Sequence, residues 1–123
     1  MTFKNGSEEY TYIDNDFDAY VDATKKHVAY PPELSLVYLM AGLGSEVGEV
    51  LGKYKKWIRD CGEMELSDSL VEDIRMELGD VLWYIARIHD ELGLSLYETS
   101  HLNIQKLNSR VSRGVIKGDG DKR

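Results

Sequence analysis

Apolar residues recur every three or four positions along most of this chain. Leu36, Met40, Leu43, Val47, Leu51, Tyr54 and Ile58 make one such stripe. Val71, Ile74, Leu78, Val81, Ile85, Ile88 and Leu92 make a second. Spacing of this kind puts side chains on one face of a helix. The first stripe predicts a helix from about Pro32 to about Arg59, opened by the Pro31–Pro32 pair, because proline suits a first turn and not an interior. "RDCGEMELSDS" breaks the pattern and reads as a loop. Ser67 then caps a third helix, which stops at Gly93. Ser95 caps a fourth, through Leu96, Leu107 and Val111, that ends by Gly114. Upstream, Phe17, Tyr20, Val21 and Thr24 predict a first helix with Asn15 or Asp16 as its N-cap. No alternating run marks a strand. Four helices on short loops predict an all-α antiparallel four-helix bundle. It forms a single domain, 1–123, with a polar arm at 1–14 and a flexible, basic, Gly-rich tail at 114–123.

Composition agrees with one globular domain: 123 residues, 42% hydrophobic and 30% charged. The net charge of −7 and a pI near 4.9 argue against a general duplex-binding role, which needs a basic surface. The lone Cys61 allows no intrachain disulfide, so a reducing compartment is expected. "MTFKNGSEEY" has no basic segment followed by an apolar run, and no stretch reads as the roughly eighteen apolar residues a membrane crossing needs. The expectation is a cytoplasmic protein with no membrane and no stable nucleic-acid partner.

The acidic residues carry a sharper pattern. "GSEVGEV" sets Glu46 and Glu49 three residues apart, and "ELGDVLWYI" repeats that spacing with Glu77 and Asp80. Residues three apart share a helix face, and each pair lies at the edge of its apolar stripe. About eleven residues separate the first pair from the helix end near Arg59, and about eleven separate the helix start near Ser67 from the second pair. With a rise of about 1.5 Å per residue, an antiparallel hairpin brings all four acids level. Carboxylates that close repel unless a cation joins them. Hard divalent ions suit oxygen donors, Mg²⁺ first and Mn²⁺ as its substitute. A solvated helix face is the competing explanation for either pair alone.

Glycines add to the pattern. Gly42, Gly44, Gly48, Gly52 and Gly79 fall inside predicted helices, where each costs about 1 kcal/mol against alanine. Gly44, Gly48 and Gly52 repeat every four residues and suit a closely packed helix or subunit. Gly42 falls on the carboxylate side, where a missing side chain leaves room for a ligand. On the fourth helix Asn103, Lys106 and Arg110 share a face, either as dipole partners near its C-terminus or as a clamp for phosphate oxygens. Arg113 and Lys117 continue the basic run into the tail, which on charge alone suits closure over phosphates.

Other chemistries fit poorly. His27, His89 and His101 are scattered without a zinc spacing. "KGDGDKR" lacks both the helix of a P-loop and the ligand order of a calcium loop. A di-iron bundle needs Glu-x-x-His pairs that this chain lacks. Trp57, Trp83 and Tyr84 fit helix-edge packing, with stacking on a nucleobase as a second use.

The run "LGSEVGEVLGKYKKWI…IRMELGDVLWYIARIHDELGLSLYETSHLNIQKLNSR" closely resembles the MazG-like nucleoside triphosphate pyrophosphohydrolases, over about residues 32–113. That all-α superfamily carries E-E-x-x-E followed by E-x-x-D. The resemblance implies Mg²⁺ ligands at Glu46, Glu49, Glu77 and Asp80, with Ser45 replacing the first glutamate of the doublet. It implies phosphate-binding roles for Lys106 and Arg110, with Asn103 one turn earlier; Lys53, one turn past Glu49, suits an assisting charge on its own account. The implied reaction converts an NTP and water to the monophosphate and pyrophosphate, in a homodimer or homotetramer whose partner subunit completes the bundle; among the four acids, our own choice of general base is Glu49. The alternative is a helical module of the same fold that binds a nucleotide or a protein without turnover.

Overall fold

The computed structural model of the chain describes residues 17–62 and 64–122, and the backbone of 2–5 and 8–11. Its architecture is all-α. Helix α1 spans Phe17–Thr24, α2 Ser35–Cys61, α3 Asp68–Glu91 and α4 Leu96–Ser112. Single 3₁₀ turns follow α1 (Lys25–His27) and precede α2 (Pro32–Leu34). A short hairpin departs from the helical expectation. Strands β1 (Thr2–Asn5) and β2 (Glu8–Thr11) pair antiparallel, with Thr2 opposite Thr11 and Phe3 opposite Tyr10. TFKN and EEYT each hold a single apolar residue, so neither alternates to leave a period-2 signal. The proposed caps Asn15 and Asp16 lie outside the described residues.

The other helix ends follow local chemistry. The Ser67 hydroxyl accepts from Leu70 N at 3.2 Å, and the Ser95 hydroxyl accepts from Glu98 N at 3.1 Å. Each satisfies one amide that the first turn leaves unpaired. Gly93 and Gly114 take φ of 66° and 69°, the left-handed conformation that releases a helix at little cost in glycine. Leu94 N then reaches back to His89 O at 2.8 Å, and Val115 N to Arg110 O at 2.9 Å. The second of these turns the chain back along α4. The α2–α3 loop is held by Trp57 Nε1, which donates to Glu65 O at 3.1 Å.

Helices α2 and α3 form the principal pair, while α1 lies against α3 and α4. The core is small: Tyr30, Leu39 and Ile88, with Leu43, Trp83 and Tyr84 packed on it. This differs from the apolar stripe read along α2. Leu36, Met40, Val47, Leu51 and Ile58 are all substantially exposed, and Leu39 is fully buried instead. The row that enters the core is Leu39, Leu43 and then Glu46. Periodicity found a helix with apolar residues around much of its circumference, but a stripe on such a helix does not say which neighbour covers it.

A buried polar network locks the elements at one end. Arg87, almost wholly buried, donates from Nε to the Tyr30 hydroxyl at 3.3 Å and from Nη1 to Thr24 Oγ1 at 3.4 Å. Its Nη2 pairs with Asp90 at 2.9 Å. The Tyr30 hydroxyl donates to Glu91 Oε1 at 3.2 Å, and Ser35 Oγ donates to Glu91 Oε2 at 3.0 Å. One cluster therefore ties the end of α1, the following segment, the start of α2 and the end of α3.

Truncating Leu39, the one fully buried large side chain among the described residues, tests this core. Leu39→Ala should lower the unfolding free energy by about 2–5 kcal/mol in denaturant titrations. A loss under about 1 kcal/mol would place the core elsewhere.

Candidate metal centre

The α2 row that begins in the core ends in an acid. Glu46 lies one turn beyond Leu43 and two beyond Leu39. On α3 the order is reversed: Glu77 and Asp80 come first, then Tyr84 and Ile88 at four-residue steps into the core. Antiparallel pairing brings the acidic ends of both rows together. Carboxylate oxygens of Glu46, Glu77 and Asp80 all lie within 4.8 Å of one another. Glu49 is exposed one turn further along α2 and stands outside this group. Its charge still acts on Glu46.

The Glu46 carboxyl is raised above its usual value of 4.5 by burial first, then by Asp80, Glu77 and Glu49. Three hard oxygen donors converging this closely, with Glu46 discouraged from ionising, fit a divalent cation such as Mg²⁺. Lys53 Nζ, 3.6 Å from Glu77 Oε1, supplies part of the compensating charge at the rim.

Beside the triad lies a cleft of about 460 Å³, lined by His27, Glu46, Asp80, Trp83 and Tyr84. The Trp83 and Tyr84 rings meet edge to face with centroids 5.0 Å apart. Burial, a hydrogen bond with Tyr38, and the nearby Glu46 and Asp80 push the Tyr84 phenol up to about 12, so it stays protonated beside the acids. Tyr20, on α1, is also raised, by burial and by Asp80. Trp83 Nε1 is buried with no hydrogen-bond partner among the described residues.

Gly42 plays a different part from the one its position suggested. A Cβ there would lie 2.1 Å from Tyr84 Cε1, so the space is taken by the Tyr84 ring rather than left for a ligand. Gly44, Gly48 and Gly52 have nothing near where a Cβ would stand, so among the described residues of one chain no helix packs on that face.

The basic residues are distributed unevenly. Asn103, Lys106 and Arg110 lie on α4, and none of them lines the cleft; α4 is docked against α1 instead. Lys106 and Arg110 face the tail, where both meet Asp121. The tail thus meets the basic residues of α4 through Asp121 rather than offering Arg113 and Lys117 as a clamp. His27 is the cleft residue that spacing missed. It reaches the site through the 3₁₀ turn after α1, and no periodicity marks such a position.

The segment Pro32–Cys61 is long and apolar enough, by length and composition, to cross a membrane, although the residue pattern suggested no such stretch. Leucines and valines raise its mean hydropathy, and Glu46 and Glu49 sit midway along it. Acids at that depth are costly in lipid and natural at a metal centre.

A family profile described as the MazG nucleotide pyrophosphohydrolase domain matches residues 35–114. Gene 37 protein of Mycobacterium phage L5 is 41% identical over 88 residues, covering 72% of this chain and 76% of that protein. No solved structure matches.

The crowded triad predicts a metal-linked pH response. A carboxyl raised by folding binds more protons in the folded chain, so stability is full below the unfolded value of 4.5 and is lost as pH rises through the raised one. In EDTA, wild type should therefore lose thermal stability relative to Glu46→Gln as pH climbs from about 4 to 8. Millimolar Mg²⁺ should restore it. Parallel melting curves for the two proteins in EDTA would show that the acids do not strain the fold.

Proposed function

The chain belongs to the MazG nucleotide pyrophosphohydrolase domain family, and from that premise we propose that it hydrolyses nucleoside triphosphates to monophosphates and pyrophosphate. The Glu46/Glu77/Asp80 triad, built from two helices beside an aromatic cleft, is the observation that carries the reading.

Glu46, Glu77 and Asp80 would hold a divalent cation, Mg²⁺ by preference, with Glu49 completing the set at the rim. When bound, that ion would supply charge neutralisation at the phosphates and make a neighbouring water more acidic. Glu49, exposed and outside the triad, takes the proton from the attacking water as general base. Water oxygen bonds to the α phosphorus, and the bond from that phosphorus to the bridging oxygen breaks. Pyrophosphate leaves with the electron pair. Lys53, already at the triad, offsets negative charge on the phosphates. The Trp83 and Tyr84 rings offer an apolar surface to the nucleobase. A soluble, cytoplasmic setting follows from this role in nucleotide-pool control.

Association completes the site. In a single chain α4 does not reach the cleft, while Val37, Leu51 and Met76 remain 72%, 65% and 71% exposed. Exposed apolar residues in such number on a small domain suit burial against a second copy. We assign Asn103, Lys106 and Arg110 to the substrate's phosphates in a homodimer or homotetramer, where an α4 and a cleft come together.

Two measurements test this. Pyrophosphate release should occur with one or more of the eight common NTPs and dNTPs, stop in EDTA, and fall at least about a hundredfold in Glu49→Gln and Asp80→Asn, with helical circular dichroism unchanged. Near wild-type turnover by either variant would remove the assigned centre, and silence across the panel would favour the non-catalytic module. Light scattering should give at least twice the 14.0 kDa chain mass, with Leu51→Lys and Met76→Lys shifting it towards one chain. A 14.0 kDa particle at micromolar wild-type protein would end the assembly proposal.

A further inference from the structure

The family match ends at residue 114, yet the residues beyond it are placed with some specificity. The chain reverses at Gly114 and runs back beside α4. There Asp121 Oδ1 accepts from Lys106 Nζ at 3.3 Å and from Arg110 Nη2 at 3.1 Å. Arg110 Nη2 also donates to the main-chain oxygens of Gly120 at 3.3 Å and Asp121 at 3.1 Å. Arg110 is only 5% exposed, so a guanidinium assigned to substrate is covered in this arrangement. We propose that the C-terminal segment 118–122 is an intramolecular competitor, whose Asp121 carboxylate occupies the Lys106/Arg110 pair and gives way to a phosphate-bearing ligand.

The contact has the chemistry of a stand-in. Two cations converge on one carboxylate oxygen, as they would on a phosphate oxygen. The fit is incomplete, because three acceptors crowd Nη2 while Arg110 Nε is buried with no partner among the described residues. A guanidinium is best satisfied through its fork of parallel N–H groups, and the tail does not use that fork. A phosphate group presents several oxygens and can engage more of it.

The occupant is also easily displaced. The Asp121 side chain is 84% exposed, and ion pairs with an exposed partner contribute little. Its carboxyl is held below the usual range by Arg110 and then Lys106, so it stays charged near neutrality. Glycines at 118 and 120 flank Asp119 and leave the segment cheap to rearrange. The Asp119 carboxylate instead accepts from Gly120 N at 2.8 Å, within its own turn. It serves as the matched control.

The proposal rests on the phosphate role assigned to Lys106 and Arg110, and its test needs no turnover. Binding of inorganic pyrophosphate to the full chain, in EDTA at low salt, would be measured by calorimetry. Asp121→Asn should bind about two- to fivefold more tightly than wild type, the range an exposed ion pair supports. Asp119→Asn removes the same charge, keeps the side-chain acceptor, and should gain nothing comparable. With Arg110→Gln in the background, the Asp121→Asn gain should shrink. Equal gains from both aspartate variants would reduce the effect to net charge and overturn the proposal, as would no gain from Asp121→Asn or no pyrophosphate binding by any variant. Hydrolysis failing while the Asp121-specific gain persists would sink the enzymatic reading alone.

Discussion

Mutual repulsion among Glu46, Glu77 and Asp80 is the constraint around which the rest of the molecule is arranged. Three carboxylates within 4.8 Å can share that space only if something else fixes the helices that carry them. The fixing comes from the same rows of residues. Leu39 and Leu43 lead into Glu46 on α2, and Ile88 and Tyr84 lead back to Asp80 on α3, so the acids and the core share two helix faces. Burial of those faces holds the acids in place, and burial also discourages Glu46 from ionising. A cation would relieve that crowding on binding, which is why such a cluster suits one.

The second support is polar and lies at the opposite end of the α3 row. Arg87 joins Thr24, Tyr30 and Asp90. That network matters to the cleft because Thr24 and Tyr30 bracket His27, the cleft residue carried by no long helix. Fixing both flanks positions the imidazole through the backbone on either side of it. Tyr30 then continues through Tyr38 to Tyr84, with ring centroids 5.1 and 6.4 Å apart. Tyr84 is seated where Gly42 leaves space. A chain of aromatic contacts thus runs from the buried arginine to the wall of the cleft.

Much of this was legible in the sequence for particular reasons. Caps are local chemistry, so Ser67, Ser95, Gly93 and Gly114 marked helix ends without tertiary information. The convergence of Glu46 with Glu77 and Asp80 came from counting residues to a shared loop. What failed to transmit depended on contacts across long sequence distances. Which face of α2 is buried is decided by α3 and Tyr30, not by α2 itself. The purpose of Gly42 is set by a ring 42 residues away. The role of the tail depended on the reversal at Gly114, which brings an acid rather than the basic run onto Arg110.

Helix α2 carries conflicting demands, and its composition reflects them. One face enters the core, one edge presents two glutamates, and the remaining apolar residues are left exposed in a single chain. Such a helix is apolar enough to cross a membrane, yet lipid would strand Glu46 and Glu49 away from water. The proposed second copy would resolve the conflict by covering Leu51 and Val47 while leaving the acidic edge open to a polar cleft. The open face of Gly44, Gly48 and Gly52 would admit that surface closely. The residues that make α2 look membrane-like would then be the ones the proposed assembly needs, and the acids they flank would face the cleft beside it.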